Sequence, residues 1–336
     1  MSAIATPAEA AATPFVRRRN RQLIVAGVIA LIVAVLPLVV KDVYLQNIMI
    51  LTLMYAALSQ SWNILGGYCG QISLGHAIYF GIGAYTSTIL FTRLGVSPWF
   101  GMFAGGGLAG ALALALGYPF FRLKGHYFTI ATIVVAEAAL LLVQNFEWTG
   151  GATGIQVPFA PDNWANLQFA RNKLPYIYFA LGLACATWLV TWKIEDSRWG
   201  YWWRAVKDNS DAAESLGVVV FHSKMAAAAL SAFFTAIGGA FYAQFVAYID
   251  PESVMSFHFS LLMALPAVLG GLGTLWGPAL GALVLIPITE LTRSYAGGSG
   301  QGLDLIIYGS LIMFIALAKP EGLISLFQLK KKAANP

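Results

Sequence analysis

Asp211-Ala212-Ala213-Glu214-Ser215-Leu216-Gly217 lies near the middle of a charged stretch, Lys193 to Lys224, that separates two long apolar runs. Ser210 is placed to cap a helix whose first turn holds Asp211 and Glu214, the acidic end that the helix dipole favours. Gly217 is a natural C-terminal stop. Such a helix has about two turns and is too short to persist alone in water. It is either part of a solvated charged loop or a plug that docks into a groove on a separate subunit, and its capped, amphipathic character points to docking. Ahead of it, Trp199, Tyr201, Trp202 and Trp203 are expected at headgroup level, because indole rings prefer the boundary between lipid and water.

The runs on either side set the class. The chain has 336 residues, 58% hydrophobic and 10% charged, against about 25% charged in a soluble domain. It has too little polar surface to face water. The net charge of +5 does not indicate nucleic acid, because the basic residues sit in short segments between apolar runs rather than on a folded domain. Cys69 and Cys185 lie in or beside apolar segments and read as small packed side chains, not a disulfide or metal pair.

A membrane-crossing helix needs about 20 mainly apolar residues. The pattern predicts an all-α, polytopic bundle of about ten transmembrane helices, near 22–40, 44–65, 76–92, 98–118, 127–145, 175–193, 226–248, 258–275, 277–293 and 303–318. Residues 1–16 read as a disordered tail, 17–325 as the membrane domain and 326–336 as a basic tail. The basic run at Arg17–Arg21 also resembles the start of a secretory signal, but the apolar run Leu23–Val40 is too long and no cleavage site follows. With the N-terminus inside and ten alternating spans, fifteen lysines and arginines fall inside and five (Lys41, Arg93, Arg171, Lys173 and Arg293) outside, as cytoplasmic retention of cations requires. The loop 194–225 is then cytoplasmic and 146–174 external. The external loop reads either as a receiving surface for a partner or as a cap with interfacial tryptophans.

Glycine and proline interrupt several spans, at Gly66-Gly67, Gly105-Gly106-Gly107, Pro266 and Gly270-Gly271. Broken backbone at membrane depth must be covered by protein or by a hydrated cavity. Asn63, Gln71, Ser73 and His76 flank the first break, and either line a hydrated pathway or satisfy freed backbone groups. Glu137 lies mid-span, where an ionised acid costs about 2.5–3.5 kcal/mol, and Gln144 follows seven residues on, nearly the same helix face. Gly106-x-x-x-Gly110 and Gly277-x-x-x-Gly281 are spacings that let membrane helices pack closely. The Gly66 and Gly270 breaks occupy comparable places in the two halves, which suggests an internal repeat around a route.

Asp211-Ala212-Ala213-x-x-x-Gly217 resembles the Glu-Ala-Ala-x-x-x-Gly coupling motif of ABC importer permeases, with Asp in place of the first Glu. Ser197-Arg198-x-Gly200-x-x-x-Arg204-Ala205-Val206-Lys207-x-Asn209 is similar to the approach segment of LivM-type branched-chain amino acid permeases. Further similarities are Gly66-Gly67-Tyr68-x-Gly70-Gln71-x-Ser73-Leu74-Gly75-His76, Gly81-Ile82-Gly83-Ala84-Tyr85, Arg122-Leu123-Lys124-Gly125-x-Tyr127-Phe128, Thr149-Gly150-Gly151-x-x-Gly154 and Leu269-Gly270-Gly271-x-Gly273-x-x-x-Gly277-Pro278. The resemblance runs from about Ser61 to Pro320. It implies a fold similar to vitamin B12-type importer permeases, working with a homologous second permease, two ABC ATPase subunits and an external solute-binding protein. It also implies ATPase coupling through Arg204, Asp211, Ala212, Ala213, Glu214 and Gly217.

The chain contains no Gly-x-x-x-x-Gly-Lys-[Ser/Thr] phosphate cradle, so ATP and Mg belong on the partner subunits and no cofactor is expected here. Two other readings exist. An ion-coupled secondary transporter of a small polar solute would use Glu137 and His76 as ligands. A membrane enzyme would need a convergent catalytic cluster, whereas His76, His126, His222 and His258 are scattered.

Overall fold

The computed structural model describes residues 7–123, 125–158, 162–169, 172–295, 306, 309, 310, 313 and 322–325. Lys124, Arg171, the basic tail 326–336 and most of the expected span 303–318 lie outside the described residues. The helices are α1 (Pro7–Val39), α2 (Val43–Asn63), α3 (Ala77–Leu94), α4 (Pro98–Phe120), α5 (His126–Gln144), α6 (Leu174–Glu195), α7 (Arg198–Asp208), α8 (Ser210–Ser215), α9 (Val220–Val246), α10 (Pro251–Met255), α11 (Phe257–Gly270) and α12 (Gly277–Tyr295). Two two-residue strands, β1 (Ile155–Gln156) and β2 (Tyr248–Ile249), pair antiparallel, Ile155 opposite Ile249. This ribbon ties the loop between α5 and α6 to the end of α9, a small departure from the all-α expectation.

Local chemistry places the ends. Asp42 caps α2 by accepting from the Tyr44 N–H at 2.8 Å. Pro98 opens α4, where its missing N–H costs nothing. Asp250 and Ser253 form a reciprocal capping box on α10. Helix α1 begins at Pro7, within the segment 1–16 expected as a tail. Ala8, Ala10, Ala11 and Ala12 are the strongest helix formers and extend the helix through this segment.

Seven helical segments among the described residues are long and apolar enough to cross a membrane: Arg19–Val39, Val43–Tyr68, Pro98–Phe120, His126–Gln144, Leu174–Glu195, Val220–Val246 and Pro251–Gly270. Helices α3 and α12 lie where spans were expected but carry too much polarity, with Ser87, Thr88 and Arg93 on one, Glu290 and Arg293 on the other. Helix α3 packs against α4 and α9, so protein rather than lipid is its main solvent and Ser87 and Thr88 are fully buried. Gly83 lies directly on the Ala236 carbonyl and Gly239 on the Phe80 carbonyl. Helices α3 and α9 therefore approach backbone to backbone, with no room for a side chain at either glycine. The aromatic core of Phe80, Phe259, Phe179 and Phe241 fills the space around it, with ring centroids 4.4 Å apart for Phe80–Phe259 and 4.8 Å for Phe179–Phe241.

Contacts pair helix ends that the lysine and arginine count puts on the same side. The Arg19 guanidinium covers the Trp192 ring at 4.4 Å, and Arg93 donates to the Trp148 carbonyl at 2.7 Å. Tyr44 donates to the Glu290 carbonyl at 2.8 Å.

Candidate functional site

Residues 194–225 fold back onto the bundle. Ser197 caps α7, and the helix buries one side, Gly200, Trp203 and Val206. Trp203 is 2% exposed and donates its indole N–H to the Ser223 carbonyl at 3.0 Å. It therefore anchors α7 to α9 rather than lying at the surface, where Trp199 and Tyr201 are exposed. Arg204, expected to take part in coupling, is held at the start of this loop. Its guanidinium donates to the Glu195 carbonyl at 2.6 Å and stands 3.9 Å from that residue's carboxylate, so it fastens α7 to the end of α6.

The plug is α8. Its cap is Asn209, not Ser210: the Asn209 side-chain oxygen accepts from the Asp211 and Ala212 N–H groups, each at 3.0 Å. Asn209 has extended backbone, as a cap requires, whereas Ser210 is already helical and returns its hydroxyl to Val206. Gly217 ends the helix at φ +84°. The Val218 N–H reaches back to Ala213 and the Gly217 N–H to Glu214, the paired closure that favours glycine at this point. Ala213 is buried, while Asp211, Ala212, Glu214 and Ser215 are exposed. Leu216 is 85% exposed and Val219 is also exposed. A capped helix thus presents an acidic edge and a bare leucine.

Beside this loop the two glycine breaks meet. Helix α2 widens into a π-helix at Ile64–Tyr68, spanning Gly66 and Gly67. Asn63 is fully buried; its side-chain oxygen accepts from the Gly273 N–H at 2.9 Å and its amide donates to the Thr274 carbonyl at 3.0 Å. A side chain at Gly67 would strike both Asn63 and the Gly273 nitrogen. Gly270 in turn lies against the Gly277 backbone, and Gly271 leaves the helix at φ +129°. The breaks, 200 residues apart in sequence, are one structural knot.

His76 is fully buried, with Nδ1 2.9 Å from the Ser73 hydroxyl and Nε2 2.8 Å from the Ser231 hydroxyl. Ser231 donates its only proton to the Ser61 carbonyl at 2.7 Å. It therefore accepts from His76 Nε2–H, which leaves Nδ1 to accept from Ser73. Trp62 donates to the Ser73 carbonyl at 2.6 Å. Asn63, Ser73 and His76 thus belong to the frame around the break, with their polar atoms engaged by protein. Gln71, Glu137 and Gln144 are half-buried. Glu137 makes no hydrogen bond or ion pair among the described residues, and α5 carries an exposed stripe of Tyr127, Ile130, Val134, Leu141 and Leu142 beside it. Cys69 and Cys185 are free thiols, and no cluster of metal-ligating side chains occurs among the described residues.

The described residues thus form a multi-pass helical membrane protein with a short capped helix exposed on one face and two joined helix breaks beside it. Residues 44–316 match the model of the branched-chain amino acid transport system permease component, and the chain belongs to that family. It is 28% identical to the high-affinity branched-chain amino acid transport permease LivM of Escherichia coli, over 86% of this chain and 72% of that one. A probable LivM of Methanocaldococcus jannaschii is 25% identical over 81% and 90% of the two chains. LivH of Escherichia coli is 22% identical over 82% and 93%. No solved structure matches the chain.

Proposed function

We propose that this chain is one permease subunit of an ATP-driven importer that carries branched-chain or related amino acids inward by alternating access. It works with a homologous second permease, two ABC ATPase subunits that hold ATP and Mg, and an external solute-binding protein. The observation that carries this reading is α8, a capped helix that buries Ala213 and leaves Leu216 and Val219 bare outside the bundle. An exposed leucine beside an acidic edge is a docking surface looking for a groove. Similarity to both LivM and LivH chains supports a pair of related permeases.

The proposal includes ten spans, an architecture similar to vitamin B12-type permeases, a place in the bacterial inner membrane and cytoplasmic termini. Closure of the ATPases would push α8, and the bundle would respond as a rigid body. Glu137 and Gln144 would line the route. The ion-coupled alternative named His76 as a ligand, but both of its ring nitrogens are engaged by serines. Reconstitution in liposomes tests the choice: leucine uptake should require added ATPase, ATP and receptor. Gradient-driven uptake by this chain alone would overturn it.

A further inference from the structure

Lys207 stands two residues before the Asn209 cap and touches both glycine breaks. A side chain built at Gly70, just past the π-helix, would lie 3.0 Å from Lys207 Cγ, 3.1 Å from its Cα and 3.2 Å from its Cβ. The backbone and stem of Lys207 therefore rest on Gly70. The same construction at Gly273 meets the Gly67 carbonyl oxygen at 2.6 Å and Lys207 Nζ at 2.8 Å. The stem thus runs from one break to the other. Both glycines have positive φ, +72° and +70°, where a side chain is strained as well as obstructed. A long cationic side chain commonly lays its methylenes on apolar or backbone surface and keeps its head polar. Here the head sits where the π-helix extension of α2 and the end of α11 both terminate, and a cation at helix C-termini is held by their dipoles.

We propose that Lys207 is the strut that delivers displacement of α8 to both breaks at once, so that α2 and α11 move together. This rests on the coupling role proposed for α8. The geometry gives each part a function: Asn63 locks the breaks to each other, Trp203 and Arg204 fasten α7 to α9 and α6, and Lys207 joins the moving loop to the knot. The Leu323 N–H donates to the Leu269 carbonyl at 2.9 Å, bringing a C-terminal segment to the same place. Lys207 is a positioning residue: it acts through the breaks and touches no solute.

The test uses the complete importer in liposomes, with radiolabelled leucine as probe and uptake measured per ATP hydrolysed. Lys207→Met keeps the stem and removes the charge, while Lys207→Arg keeps both length and charge. Lys207→Met should lower uptake per ATP about tenfold, the size expected for a residue in a coupling network, with the ATPase subunits still co-purifying. Lys207→Arg should restore uptake to nearly the wild-type ratio. Wild-type coupling in Lys207→Met, or an equal loss in Lys207→Arg, overturns the proposal. Leu216→Asp separates this from the docking reading. If it releases the ATPases while Lys207→Met stays fully coupled, only the strut fails; if it leaves assembly and uptake intact, the docking surface itself is wrong.

Discussion

Gly217 takes φ +84° at the end of α8, a conformation that costs a residue with a side chain about 1–2 kcal/mol. In a six-residue helix that penalty is comparable to the whole stability of the turn. Gly217→Val should therefore fray α8 and reduce recovery of the ATPase subunits on affinity purification, while unfolding of the bundle in detergent stays unchanged. Asn209→Ala removes two cap bonds, worth about 1 kcal/mol, and should give a milder version of the same defect. His76 predicts the opposite pattern. Replacing it with Ala leaves the buried Ser73 hydroxyl without its acceptor, at a cost of about 1–3 kcal/mol, and removes the ring that Ser231 accepts from. His76→Ala should lower the melting temperature in detergent and reduce yield before any effect on transport can be read.

At the scale of elements, α5 is the least covered of the interior-facing candidates. Its half-buried Glu137 and Gln144 border the bare stripe of Tyr127, Ile130, Val134, Leu141 and Leu142. A carboxylate left against lipid near mid-span costs about 2.5–3.5 kcal/mol, so in the proposed assembly this stripe faces the second permease across the route. Cysteines at Val134 and Leu141 should cross-link to that subunit; exclusive labelling by a lipid-soluble maleimide would argue for a lipid-facing helix. Glu137→Gln should lower the uptake rate and leave the ranking of leucine, isoleucine and valine unchanged, because in the proposed importer selection lies with the receptor. A reordered ranking in vesicle uptake would move selectivity into this helix.

For the whole molecule, the knot of Asn63, Gly67 and Gly273 connects the two halves of the bundle beside the loop 194–225. Gly67→Ala would drive a methyl into the Asn63 side chain and the Gly273 backbone. Both neighbours are held by hydrogen bonds and cannot yield cheaply. The expected result is loss of folded protein from the membrane fraction, with partial recovery in the double variant Gly67→Ala/Asn63→Ala. Normal expression of Gly67→Ala would mean that the halves separate more easily than the contacts indicate.

Sequence alone determined the membrane class, the short helix in the charged loop 194–225 and the family resemblance, because each depends on local composition or on contiguous residues. Apolar runs, a cation count and a seven-residue motif are legible without neighbours. The fate of individual side chains was not. Asn209 displaced Ser210 as the cap because backbone conformation, not residue type, selects between two adjacent capping residues. Trp203 is buried rather than interfacial, and Arg204 is tied to Glu195, because α7 folds back on α9 and α6, contacts that span more than a local window. Helix α3 lacks the apolarity of a lipid-facing span because α4 and α9 cover Ser87 and Thr88, whereas α12 owes its polarity to Glu290 and Arg293 near its end. Only the tertiary structure decided that Gly67 and Gly273 touch and that Lys207 lies across both, since hydrogen bonds between residues some 200 positions apart leave no periodic trace in the chain.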